Sequence, residues 1–196
     1  MKKRIILSSA SPRRRELLSQ IGVGFEVLVS DGEENYTSTD PAEIVKELAL
    51  AKAENVAAVV ESIENTLLIG ADTIVVLDGE ILGKPKNEED AFRMLKHLQG
   101  RNHQVYTGTA LLAHDEKGEK TVISHAEQTE VFVHAMEDAE IRRYIATGEP
   151  MDKAGGYGIQ GGFAAYIDRI EGDYYNVVGL PVAYLYQQLK MLGSIG

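Results

Sequence analysis

The chain has 196 residues, enough for one large domain or one domain in two lobes, and its 44% hydrophobic content can build a sizeable core. A formal net charge of −10 argues against a broad basic face for nucleic acid but leaves room for a local positive pocket around a small anion. There is no cysteine, which excludes disulfides, thiolate chemistry and cysteine-held zinc.

The start Met1-Lys2-Lys3-Arg4 is charged like an export signal, but the apolar run Ile5-Ile6-Leu7 is too short for one. No run approaches a membrane span, so a cytoplasmic protein is expected. Residues 4–8 read as a first strand. Ser11 as N-cap and Pro12 as first helical residue then open a helix with Leu17, Leu18 and Ile21 inward, and Gly22 can end it. Arg13, Arg14 and Arg15 in its first turn clash with the positive end of the helix dipole. A bound anion would resolve that clash. Small serines such as Ser9, free backbone N–H groups and forked Arg13 and Arg14 donors after a strand make a phosphate site. The plainer alternative is a solvated basic run beside Glu16.

Residues 25–30 read as a second strand, followed by the acidic loop Ser30-Asp31-Gly32-Glu33-Glu34, a possible source of a magnesium ligand. Asp40 and Pro41 begin a helix running to about Val60, with Val45, Leu48, Ala49, Val56 and Val59 as its stripe. Lys52 falls on that stripe. Spacing alone slightly favours a lysine that snorkels past the core edge over an ammonium aimed at an anion.

The stretch 67–85, LLIGADTIVVLDGEILGKP, is the centre of the chain. Leu67-Leu68-Ile69 and Ile74-Val75-Val76-Leu77 are short continuous apolar runs, as in strands covered on both faces. Between them, Asp72 reads as an acid at the end of a buried strand, where it needs a cation, hydrogen-bond donors or a metal. Gly70 and Ala71 allow close approach to the backbone. Asp78-Gly79 reads as a two-residue hairpin turn, and Lys84 and Lys86 place two cations on the following loop.

Asn87 caps a helix over 88–98 with Ala91, Met94, Leu95 and Leu98 inward. Residues 101–114 and 120–134 read as a long antiparallel hairpin, and 137–147 as a helix with Ile141, Tyr144 and Ile145 inward. The five histidines lack close metal-ligand spacing. In MDKAGGYGIQGG, residues 151–162, the G-x-G-x-x-G match is not a dinucleotide fingerprint, because it does not lie between a strand and a helix. Its glycines bring backbone close to a ligand, and the polar Gln160 marks a contact loop. Residues 163–170 read as a strand and 172–176 as a turn. Pro181 opens a last helix with Val182, Leu185, Leu189 and Leu192 inward.

Cations, a glycine-rich loop and an aligned acid converge on a phosphate-bearing ligand and metal-assisted attack of water on phosphorus. No G-x-x-x-x-G-K-[ST] loop and no G-x-S-x-G elbow is present. The segments Ser9-Ala10-Ser11-Pro12-Arg13-Arg14, Gly70-Ala71-Asp72-Thr73, Leu82-Gly83-Lys84-Pro85, 151–161 and 172–181 together resemble the Maf family of nucleoside triphosphate pyrophosphatases, in family order and across nearly the whole chain. The resemblance implies a single domain, 1–196, of Maf/Ham1-like α/β fold: a mixed twisted sheet flanked by helices, with two lobes around a deep nucleotide-binding cleft. It implies hydrolysis of dTTP, UTP or modified pyrimidine nucleotides between the α- and β-phosphates with a divalent cation, Mg2+, Mn2+ or Co2+. Asp72 matches the family's proton acceptor, and Arg13, Thr73 and Gln160 match positions tied to substrate choice. Ser9, Arg14, Lys52 and Lys84 are further substrate-binding candidates, and Glu33 and Asp72 are the metal candidates. A homodimer is a family expectation; nucleic acid and membrane partners are not expected. The competing implication is an interaction protein that arrests septum formation by binding a partner without catalysis.

Overall fold

The computed structural model describes residues 3–33 and 35–195; Met1 and Lys2 of the charged start, Glu34 of the acidic loop and Gly196 lie outside them. The strands are β1 (Arg4–Leu7), β2 (Glu26–Val27), β3 (Thr66–Leu77), β4 (Glu80–Leu82), β5 (Asn102–His114), β6 (Lys120–Val133) and β7 (Ile167–Glu171). The α-helices are α1 (Pro12–Gln20), α2 (Pro41–Ala57), α3 (Glu88–Leu98), α4 (Asp138–Ile145), α5 (Tyr174–Val178) and α6 (Val182–Met191). The sheet is mixed and hydrogen-bonded in the order β2-β1-β3-β5-β6-β7, with β4 on β3. β1 is parallel to β2 and β3, whereas β4 and β7 run antiparallel to β3 and β6. The chain forms two compact units, one of Met1–Asp72, Thr107–Glu127 and Gly179–Gly196, the other of Thr73–Tyr106 and Gln128–Val178.

In the first unit, Ile6 of β1, Leu68 of β3 and Leu112 of β5 pack with Ala53 and Val56 of α2. The helix lies on the sheet through backbone contact. A Cβ at Gly70 would sit 2.0 Å from the Ala49 carbonyl oxygen, and one at Gly108 would sit 2.0 Å from that of Val45. The close approach allowed by Gly70 is therefore made by α2 itself. Gly70→Ala or Gly108→Ala should cost about 3 kcal/mol by overpacking. That loss would appear as a lower urea midpoint at unchanged slope, and an unchanged midpoint would show that α2 can shift freely.

Several expected boundaries move. The second strand is only Glu26–Val27, although Leu28 N still donates to Leu7 O at 3.2 Å. It lies at the sheet edge with Val27 and Val29 exposed, and a very short edge strand limits unwanted pairing. α2 ends at Ala57, so Val59 lies beyond it and is exposed, while Ile44 and Ala53 join Val45, Ala49 and Val56 on the buried face. Ser11 occupies the N-cap position of α1 without a side-chain capping bond. The apolar runs around residues 70–73 form one continuous strand, so Asp72 is inside β3 rather than at a strand end.

In the second unit, Val75, Leu77, Leu95, Leu98, Val131, Ile141, Tyr144, Tyr157 and Phe163 share one core. The Asp78-Gly79 hairpin forms as expected, with φ of 53° and 82°, the left-handed pair that a type I′ turn needs. Asn87 caps α3 by accepting from Asp90 N at 2.9 Å. β5 and β6 form the expected hairpin: Asp115 N donates to Glu119 O at its turn and Val133 N to Arg101 O at its far end. The segment expected as a strand over 163–170 begins instead as a 3-10 turn, Gly162–Tyr166, and becomes β7 only at Ile167. That turn aligns positions three apart, so the rings of Phe163 and Tyr166 meet at a tilt, 5.7 Å apart, while Phe163 also meets Tyr157 at 4.7 Å. The expected turn over 172–176 winds into α5. Asp173 Oδ1 accepts from Tyr175 N, and buried Asn176 donates to Val105 O and Thr129 Oγ1.

Candidate active site

Of the twelve residues of β3, only Asp72 and Thr73 are not buried, so the strand opens to solvent at the acid. The side chain of Asp72 is 20% exposed and that of Lys52 is 18% exposed; Lys52 Nζ lies 3.1 Å from Asp72 Oδ1. The ammonium on the inward stripe of α2 therefore points at an anion, and the snorkelling preferred from spacing alone is not what forms. The reason lies in long-range packing: Gly70 and Gly108 let α2 lie close on the sheet, and that approach brings position 52 to the open stretch of β3.

Arg13 and Arg14 diverge within one turn of α1. Arg14 is buried; its Nε donates to Gly179 O at 2.8 Å and its Nη1 to Ser9 Oγ at 3.0 Å. Ser9 Oγ also accepts from Ser11 N at 3.3 Å, which fixes the turn between β1 and α1. Arg13 is half-buried and lies in the same first turn, which carries no acidic residue. The Ser8 hydroxyl is buried and has no hydrogen-bond partner. A helix start bearing three arginines and no acid favours an incoming anion.

Glu33 is exposed, and its Oε2 accepts from Asn35 Nδ2 at 3.2 Å. Its backbone carbonyl accepts from Asn55 Nδ2 at 3.1 Å, while Asn55 fills the space a Cβ on Gly32 would need. Asn55 thus pins the acidic loop to α2. The sequence reading missed this residue, although its position three after Lys52 puts both on one helix face.

The remaining candidates belong to the second unit. Thr73 is half-buried, and Lys84 and Gln160 are exposed. The Lys84 loop is tied to the glycine-dense segment, where Gly155 N donates to Gly83 O at 3.0 Å. Most of the glycines there yield space to protein rather than to a ligand. A Cβ at Gly155 would meet Val75 at 3.0 Å, one at Gly156 Pro85 at 3.3 Å, and one at Gly161 the Glu149 carboxylate at 2.0 Å.

Among the described residues, no group of three or more His, Cys, Asp or Glu side chains is gathered for a metal. The donor chemistry nonetheless fits a hard cation of the magnesium type, which takes one or two carboxylates and completes its shell with water and phosphate oxygens. Asp72 supplies such a carboxylate at a solvent-open point of β3, with Lys52 contacting Oδ1.

A family model described as Maf-like protein matches residues 4–192. The chain belongs to the Maf family. Among its Maf relatives, a dTTP/UTP pyrophosphatase of Agathobacter rectalis is 51% identical over 96% of this chain and 97% of the relative. One of the same name from Dictyoglomus turgidum is 50% identical over 98% of each chain. The structure of the Staphylococcus aureus Ham1 protein superposes with a TM-score of 0.52 at 16% identity, covering 97% of this chain and 100% of that one, a likeness of fold. The mixed α/β Ham1-like fold expected of a Maf chain is the one observed. No helix of the described residues is long and apolar enough to cross a membrane.

Proposed function

We propose that this Maf protein is a nucleoside triphosphate pyrophosphatase that hydrolyses dTTP and UTP between the α- and β-phosphates, with 1–196 acting as one catalytic domain. The observation that carries this reading is the Asp72–Lys52 pair at the one opening of an otherwise buried strand. It stands in a chain half identical to proteins named for that reaction.

In this reading Asp72 orients a water and takes its proton as the oxygen attacks the α-phosphorus. The bond from that phosphorus to the bridging oxygen breaks, and pyrophosphate leaves with the electron pair. Lys52 holds the carboxylate in register by a charge-assisted contact. Arg13 gathers the phosphates at the start of α1, on a turn that Arg14 and Ser9 hold in place, and Lys84 adds a cation. Asp72 and Glu33 would hold a divalent cation, which when bound offsets the charge developing on the phosphate oxygens.

Thr73 and Gln160 carry the choice of base. A neutral Gln amide can both donate to and accept from the O4–N3 edge of uracil or thymine. A carboxylate at Gln160 would face the O4 acceptor as an unpaired charge, a mismatch that supports strong discrimination. The kcat/KM for dTTP and UTP should exceed that for 7-methyl-GTP, and Gln160→Glu should narrow the gap by about tenfold or more. Equal or better turnover of 7-methyl-GTP by the unmodified protein would overturn the assignment.

A further inference from the structure

Gln160, Gly161 and Gly162 are exposed and Ile159 beside them is buried, and both ends of this loop are tied to one pair of side chains. Gly158 N donates to Tyr144 Oη at 3.2 Å, and Gly162 N donates to Glu149 Oε2 at 3.0 Å. Tyr144 Oη in turn donates to Glu149 Oε1 at 2.8 Å, joining the two tethers. Between them, Gly161 N closes a turn on Gly158 O at 3.2 Å, with Gln160 inside that turn.

The anchors are themselves fixed. Tyr144 is buried on α4 with its ring 5.2 Å from that of Phe163. Glu149 N donates to Thr147 Oγ1 at 3.2 Å, and Lys153 Nζ donates to the Glu149 carbonyl at 2.7 Å. Burial, reinforced by Glu149, pushes the Tyr144 phenol up, so it remains a donor. Gly161 lacks the Cβ that would lie 2.0 Å from Glu149 Oε1. A segment this rich in glycine has much conformational freedom to lose, and an amide discriminates between bases only when its donor and acceptor are held in register.

We propose that Tyr144 and Glu149 are positioning residues for base choice: together they clamp residues 158–162 so that the Gln160 amide is presented in one geometry. This rests on the reading that Gln160 contacts the base. Neither residue needs to touch the nucleotide. Their effect should fall on KM and on the ratio between substrates rather than on the chemical step.

The test compares Tyr144→Phe, Glu149→Ala, Glu149→Gln and Gln160→Glu with the unmodified protein on dTTP, UTP and GTP. Hydrogen exchange of the 158–162 segment is measured alongside. Tyr144→Phe and Glu149→Ala should raise KM for dTTP and UTP about tenfold, leave kcat within about threefold and narrow the pyrimidine-to-GTP ratio about tenfold. Exchange in the segment should quicken in both, a result that needs no turnover. Glu149→Gln can still accept from Gly162 N and donate to Tyr144 Oη, so it should restore most of the ratio and the protection. If Glu149→Ala does not fold, Tyr144→Phe, which removes one oxygen, carries the same test. Variants that melt earlier but keep KM, ratio and exchange protection would show a merely structural role and overturn the proposal. If Gln160→Glu moves the ratio and the clamp variants do not, the clamp alone is wrong. If Gln160→Glu leaves the ratio unmoved, the base-contact reading fails and this inference falls with it.

Discussion

Asp72→Asn should lower kcat by about 10²–10⁴-fold, the usual loss when a positioned base is removed, while nucleotide binding remains close to normal. The substitution keeps the shape of the side chain at the open point of β3 and removes only its charge and proton affinity. The ion pair it breaks is mostly buried, with side chains 20% and 18% accessible, so removing the charge opposite Lys52 should cost about 1–3 kcal/mol while the fold is kept. A well-folded Asp72→Asn protein with near-normal kcat would remove Asp72 from the chemistry. Loss of activity in step with loss of fold would make it a structural acid instead.

The second large effect separates two neighbouring arginines. Arg14→Ala should destabilise the protein by about 3 kcal/mol, because it strips a buried guanidinium from the Gly179 carbonyl and from Ser9 and leaves that carbonyl without its donor. Arg13→Ala should leave the melting temperature unchanged or slightly higher, since it removes a cation from the positive end of α1. It should instead raise KM for the triphosphate, about tenfold if one charge-assisted contact is lost. Thermal denaturation and steady-state kinetics on the two variants check this together. The reverse pattern, with Arg13 holding the fold and Arg14 the substrate, would contradict the division of roles drawn from the buried contacts of Arg14.

Much of this architecture is written locally in the chain. Asp78-Gly79 and Asn87 specify a turn and a cap by their own chemistry, and both form as expected. Long-range packing is what local pattern could not supply. The direction of Lys52 depends on how closely α2 approaches β3 and β5, which Gly70 and Gly108 decide from far along the chain. Arg13 and Arg14 look equivalent as residues, and the burial of Arg14 against the Gly179 carbonyl, 165 positions away, is not visible in local pattern. Phe163 belongs to an apolar run that suits a strand, but its ring fills a core built by Tyr144 and Tyr157, and the backbone takes a 3-10 turn to put it there. In the glycine-dense segment, composition alone could not show that the missing side chains make room for Val75, Pro85 and Glu149.

Attack of water on the α-phosphorus of a pyrimidine triphosphate is the step on which the proposed function turns. Its most direct measurement is the identity of the products when the unmodified protein is incubated with dTTP and a divalent cation and the mixture is separated by anion-exchange chromatography. Equal amounts of dTMP and pyrophosphate are expected, and UMP and pyrophosphate likewise from UTP. Formation of dTDP and inorganic phosphate, or no turnover of either nucleotide by the folded protein, would contradict it.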